Sequence, residues 1–232
     1  MAAIVTATRS PFRTIADVQE RLGYVPVERI ITRVLPGCAT EQDLLDTSIT
    51  GDRGCELVDG ILVEKAMGFR ADYLGIWIGH LLLNYVAVNN VGGVGGAQGG
   101  VRFRVGLVRM PDVTFTRWDS VDDPDDIEDP DGAFLEYAPD LVVEVLSPGN
   151  TRREMEIKLA EYAKAGVKLV WYVDPERKEV DVYLKGNPRR KKTYGIGSVL
   201  EGGEVLPGFT LPVAKIFEKR APARKSGKKP KK

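Results

Sequence analysis

Apolar residues recur at helical spacing over one long stretch of the chain and alternate with polar ones over several short stretches. Together the two periods lay out a mixed α/β chain. Over residues 70–89, Leu74, Trp77, Ile78, Leu81, Leu82, Tyr85 and Val86 share a wide apolar face, which predicts one long helix packed on a sheet. Before it, Cys55–Val58 and Ile61–Glu64 flank Asp59-Gly60, a pair suited to a type I′ turn, and predict a β-hairpin. After it, Val101, Phe103 and Val105 alternate with Arg102 and Arg104, and residues 111–116 form another short strand entered through Pro111. Leu141, Val142, Val143, Val145 and Leu146 surround Glu144 in a third strand. Thr151, with Glu154 three residues on, then caps a helix that turns Met155, Leu159, Tyr162 and Ala163 inward and closes at Gly166. Residues 168–174 read as a buried strand, and 179–184 and 193–200 as alternating strands that extend the sheet. Residues 15–22 and 41–45 are short helices separated by Pro26, Pro36 and Gly37, so the first quarter reads as a helical appendage.

The glycine-rich run 92–100 is excluded as a phosphate-binding loop. No Gly-Lys-Ser/Thr follows, and it leaves a helix and enters a strand, the reverse of the order such loops require. It reads as the end of the long helix. His80, the only histidine, has no second ligand at metal-binding spacing and is set aside.

A length of 232 residues, 43% hydrophobic and 28% charged, suits one domain with appendages. The predicted division is an appendage at 1–50, a core domain at 51–217 and a basic, disordered tail at 218–232. No bilayer-spanning run and no leader pattern is expected, and Cys38 and Cys55 are too few for a disulfide framework or a thiolate zinc site. A reducing cytoplasm with no membrane partner is the expected setting. Equal numbers of acidic and basic residues, 33 each, conceal an acidic stretch at 119–131 and the basic tail that carries Lys228 and Lys229.

The chemistry lies in three residues. A carboxylate inside an apolar strand is costly to bury alone, so Glu144 calls for a partner. Asp112, at the start of a neighbouring strand, and Lys158, about two turns into the following helix, can meet it at the strand's end. Two carboxylates and an amine suit a hard divalent cation such as Mg2+ or Mn2+, which keeps several waters, one of them placed to attack a phosphodiester. By residue type alone, Asp112 also suits a turn acid, and Lys158 an ion pair with Glu154 or Glu161.

At MPDVTF, APDLVVEVLSPGNTRREMEIKLAEYAKAGVKLVWYVDP and VLPGFTLP, the chain resembles the Uma-two family of endonucleases, a branch of the PD-(D/E)XK restriction-endonuclease-like superfamily. The resemblance runs from the Asp59-Gly60 hairpin to Phe217. It implies a restriction-endonuclease-like α/β core, a mixed central β-sheet flanked by helices, with the helical appendage before it. It makes Asp112 the metal-binding aspartate and Glu144 the second acid, with the Val145 carbonyl beside them as a further ligand. Leu146 stands where the superfamily's lysine would be, and Lys158, on the following helix, matches the family's relocated lysine. Glu64 is a further candidate carboxylate. The implied activity is Mg2+- or Mn2+-dependent hydrolysis of DNA, with Arg102, Arg104, Lys228 and Lys229 as candidate phosphate contacts. Symmetric cutting of a duplex would call for a homodimer, for which the sequence carries no dedicated interface signal. The rival reading is a non-catalytic nucleic-acid-binding or assembly protein on the same fold.

Overall fold

The computed structural model describes residues 10–51, 53–66, 68–127 and 132–218. The chain opens with α1 (Ile15–Leu22), β1 (Ile30–Ile31), α2 (Glu41–Leu45) and α3 (Thr47–Thr50). The hairpin follows as β2 (Cys55–Val58) and β3 (Ile61–Glu64), then the long helix α4 (Phe69–Asn89) and the strands β4 (Gly92–Gly96), β5 (Val101–Arg104), β6 (Leu107–Arg109) and β7 (Val113–Arg117). Next come β8 (Leu141–Val145), α5 (Arg152–Ala165), β9 (Leu169–Asp174), β10 (Glu179–Leu184) and β11 (Lys191–Tyr194). The described chain ends with β12 (Val199–Glu201), β13 (Thr210–Pro212) and α6 (Val213–Ile216).

Two main sheets result. One has the order β1-β3-β2-β6-β5, and the other, the central sheet, has the order β11-β10-β9-β8-β7-β4. Within the central sheet only β8 and β9 run parallel, because α5 supplies the crossover that a parallel pair needs. The architecture is the mixed sheet flanked by helices that the sequence predicts.

Each face of the central sheet buries a long helix. Leu74, Ile78 and Leu82 of α4 join Val113, Phe115, Leu141 and Val143 in the largest core cluster. On the other face, Met155, Leu159 and Tyr162 of α5 join Val142, Val170 and Tyr172. Phe103 of β5 meets the Tyr162 ring at 5.1 Å, so α5 lies between the two sheets.

Three features depart from the sequence reading. The glycine run forms the edge strand β4, paired with β7, where only a helix end was expected. Glycine is required there by close approach, since a Cβ on Gly92 would lie 2.1 Å from the Thr116 carbonyl oxygen. The strand expected at 193–200 is split between β11 and β12, and β12 leaves the sheet to pair with β13. By length and composition α4 is long and apolar enough to cross a membrane, which the sequence reading did not expect, but here its inner stripe covers the central sheet.

The N-terminal segment is packed into the rest. β1 pairs with β3, and Val18 and Leu22 of α1 share a cluster with Val58, Ile61 and Val63. α1 ends at Gly23 in the left-handed region, where an added Cβ would lie 2.4 Å from the Glu154 backbone nitrogen. No side chain larger than hydrogen lets α1 dock there on the first turn of α5.

Candidate active site

The site is built where β7 begins and β8 ends. Val113 pairs with Val143, so Asp112 and Glu144, one residue further along each strand, are cross-strand neighbours. Asp112 Oδ2 accepts the Val145 N–H at 2.5 Å, and Oδ1 lies 2.7 Å from Lys65 Nζ. Glu144 Oε1 accepts hydrogen bonds from the Tyr162 hydroxyl and, at 3.1 Å, from Lys158 Nζ. The structure thus brings Asp112, Val145, Glu144 and Lys158 together. These acids and the lysine, with Glu56 beside them, are nearly sealed residues: Glu56 is 0%, Lys158 2%, Glu144 4% and Asp112 8% exposed.

Glu56 enters from the other sheet. Its Oε1 accepts from Lys158 Nζ at 2.9 Å and from the Met110 N–H at 3.1 Å, and its Oε2 accepts from Arg109 Nη1 at 2.8 Å. Arg109 in turn holds Glu161 at 2.6 Å. Lys158 is therefore shared by a carboxylate from each sheet, while Glu161 is taken by Arg109 and Arg21, and Glu154 by Arg29. That settles the open question of which partners Lys158 takes.

The two carboxylates on Lys158 differ electrostatically. Burial pushes the Glu144 carboxyl up and the Asp112 charge adds to it, against the pull of Lys158, so its pKa is raised. Burial acts on Glu56 as well, but Lys158 and Arg109 together overcome it and hold that carboxyl well below the usual range. Burial alone would lower Lys158, but Glu144 and Glu56 keep it charged. Burial and the Glu144 charge push Tyr162 well above its usual value, so it acts as a neutral donor.

Opposite signs give opposite pH dependence. Glu56 contributes stability that is present above its ordinary 4.5 and is lost as pH falls through its lowered folded value. Glu144 contributes stability that is complete below 4.5 and is lost as pH rises through its raised folded value. Glu56→Gln is expected to cost about 3 kcal/mol at neutral pH, because it strips buried Arg109 and Lys158 of a charge partner. Glu144→Gln is expected to cost less than Glu56→Gln, because Lys158 keeps Glu56 and the charge removed is itself opposed by burial and by Asp112. Urea unfolding of both variants checks the pair.

Arg29 staples the site from the N-terminal segment. It donates to the Glu64 carbonyl at 2.8 Å and the Gly149 carbonyl at 2.9 Å, and grips the Glu154 carboxylate through both terminal nitrogens at 2.7 and 3.1 Å. Glu154 also completes the Thr151 capping box, so one guanidinium ties β3, the turn after β8 and the start of α5 together. Arg29→Met leaves Glu154 buried without its cation and is expected to cost about 3 kcal/mol. A lowered urea midpoint at unchanged m-value would show it.

Other sequence candidates stand elsewhere. The Glu64 side chain turns to Arg53 at 3.0 Å and does not join the acids. Arg102 and Arg104 lie on β5, in the other sheet, and are matched by carboxylates: Arg102 by Glu41 at 2.5 Å and Glu136 at 2.8 Å, Arg104 by Asp59 at 2.5 Å. Lys228 and Lys229 lie outside the described residues. Sequence reasoning missed Glu56, although a carboxylate in the apolar run CELV carries the same signal as Glu144. It also missed Arg109 and Lys65, which no local pattern marks.

The donor set suits a hard cation in part. Asp112, Glu144 and the Val145 backbone carbonyl offer oxygens from adjacent strands, and Asp112 Oδ1 already accommodates the positive charge of Lys65. No group of three or more His, Cys, Asp or Glu residues gathers for a metal among the described residues, so an ion here would rely on two carboxylates, the Val145 carbonyl and water. A cleft of about 890 Å³ opens beyond β8, lined among others by Gly68, Ser147, Asn150, Arg152 and Tyr172. The residues directly after Glu144 and Val145 thus form part of its wall.

The Uma2 family model, described as "Putative restriction endonuclease", matches residues 42–214. No curated protein matches the chain. Among solved structures, a protein titled "putative nuclease belonging to DUF820", from Anabaena variabilis ATCC 29413, superposes with a TM-score of 0.61 at 15% identity. The superposition covers 72% of this chain and 90% of that one, and at this identity it speaks for the fold, a nuclease-like mixed α/β architecture. With well over half of its length inside the family match, the chain belongs to the Uma2 family of restriction-endonuclease-like proteins.

Proposed function

We propose that this protein is an endonuclease that hydrolyses DNA phosphodiester bonds with Mg2+ or Mn2+. The family description supports nuclease chemistry on DNA. The observation that carries the reading is the meeting of two acids far apart in sequence, Asp112 and Glu144, with the helix amine of Lys158 at 3.1 Å from Glu144. Asp112, Glu144 and the Val145 carbonyl would hold the ion. When bound, such an ion polarises the phosphate and lowers the pKa of a coordinated water.

The chain's own groups do the rest. The Val145 N–H fixes the Asp112 carboxylate, and Lys158 with Tyr162 fixes Glu144. Lys158, kept charged by two carboxylates, would stabilise negative charge growing on the phosphate oxygens. The cleft beyond β8, walled by Leu146 and Ser147 just past the acid strand, would receive the nucleic-acid backbone, and cutting both strands of a duplex would engage two copies of the chain.

The test is nicking of supercoiled plasmid by the purified protein in Mg2+ and in Mn2+, with a chelator control. Metal-dependent cleavage that Asp112→Asn abolishes supports the proposal. Absence of cleavage in both metals, or an unchanged rate in the variant, overturns it. The near-complete burial of Glu144 and Lys158 favours a second reading, a protein that binds nucleic acid on this fold without turnover. That reading expects DNA retention that is indifferent to metal.

A further inference from the structure

Lys65, the first residue after β3, has no part in the chemistry above. Its ammonium lies 2.7 Å from Asp112 Oδ1, is shut off from water and finds no well-directed hydrogen bond. A buried ammonium with only an ion contact is a poor contribution to stability. Its position is nonetheless held on several sides. Arg29 fixes the Glu64 carbonyl just before it, Ala66 lies within 3.3 Å of where a Gly149 Cβ would stand, and Gly68 packs against Ser147. Lys65, Ala66 and Gly68 therefore lie along the turn after β8, and Lys65 delivers one cation to one carboxylate oxygen. The Lys65 charge also reaches Glu144, where it opposes the repulsion from Asp112.

We propose that the Lys65 ammonium is the built-in counter-cation of the acid pair, occupying the Asp112 ligand oxygen until a divalent cation expels it. The inference rests on the Asp112–Glu144 metal site proposed above. Two like charges do not share one carboxylate oxygen in a poorly solvated site, so metal entry and lysine departure are one exchange. The lysine has an exit, since its side chain keeps 13% exposure and its flexible four-carbon stem lets the ammonium swing toward the cleft that Gly68 and Ser147 line. The apparent metal affinity is then the intrinsic affinity reduced by the fraction of molecules in which Lys65 has left.

The test measures Mn2+ binding to the full chain without DNA, by titration calorimetry and by the electron paramagnetic resonance signal of free Mn2+. Lys65→Met is expected to bind one Mn2+ about tenfold or more tightly than the parent, Lys65→Arg to stay as weak as the parent, and Asp112→Asn to bind none. Lys65→Gln carries the same expectation as Lys65→Met and replaces it if that variant fails to fold, as judged by its thermal melt. Equal Mn2+ affinity in the parent and the neutral variant, or weaker binding in the variant, overturns the role of Lys65 and leaves the metal site standing. Failure of the parent and both neutral variants to bind Mn2+ overturns the metal site itself, and with it this inference.

Discussion

Asp112→Asn is expected to reduce plasmid cleavage by about 10³-fold or more while the protein stays folded. The rate effect follows from losing a metal-binding carboxylate, worth several kcal/mol of transition-state stabilisation at about tenfold per 1.4 kcal/mol. The fold survives for a local reason. The amide oxygen of the new side chain still accepts the Val145 N–H, now held at 2.5 Å by Asp112 Oδ2, so the start of β7 keeps its tie to the end of β8. Lys65 loses its ion contact, but its side chain lies near enough to water to turn outward. Nicking rates and thermal melts on the same preparations separate the two effects. A variant that cleaves at the parental rate would remove Asp112 from the chemistry. One that melts far below the parent would make lost structure the cause.

Much of this site is legible in the sequence, because its central acid breaks a pattern. Glu144 interrupts an apolar strand, and the cost of burying a lone carboxylate identifies it before any coordinates are known. Lys158 is reachable by counting turns from the Thr151 cap, and the structure places its amine where that count does. Glu56 carries the same signal as Glu144, but the Asp-Gly turn beside it draws attention to the hairpin and away from its carboxylate. It belongs to a different sheet, and nothing local says that α5 lies between the two sheets and offers one lysine to both. Arg29, Lys65 and Arg109 are invisible for the same reason, since each acts across more than 40 residues of chain on a group that only folding brings near. The glycine strand β4 shows the converse limit. The sequence reads it as the end of a helix, whereas the constraint is the Thr116 backbone pressed against it.

Lys158→Met is expected to destabilise the protein by about 3–5 kcal/mol at neutral pH, the cost of removing one partner from a buried ion cluster. Methionine keeps most of the stem's volume, so the loss is electrostatic more than a matter of packing. Glu56 retains Arg109 and the Met110 N–H, but Glu144 is left with the Tyr162 hydroxyl and the repulsion of Asp112. The uncompensated charge therefore falls on Glu144. Its folded pKa, raised already, rises further, so the penalty grows as pH rises through that value and fades as pH falls and the carboxyl takes up a proton. Urea unfolding at pH 5 and at pH 8 should show a smaller deficit at the lower pH. Adding Glu144→Gln should restore about 2 kcal/mol, because the orphaned charge is gone, and the double-mutant cycle reads that coupling directly. Cleavage should not return with stability, since the proposed mechanism uses Glu144 to hold the ion and the Lys158 charge to stabilise the phosphate. If Lys158→Met unfolds within about 1 kcal/mol of the parent at pH 8, the amine is not what compensates the acids. The pairing of one lysine with a carboxylate from each sheet would then be incidental to how this fold holds its site.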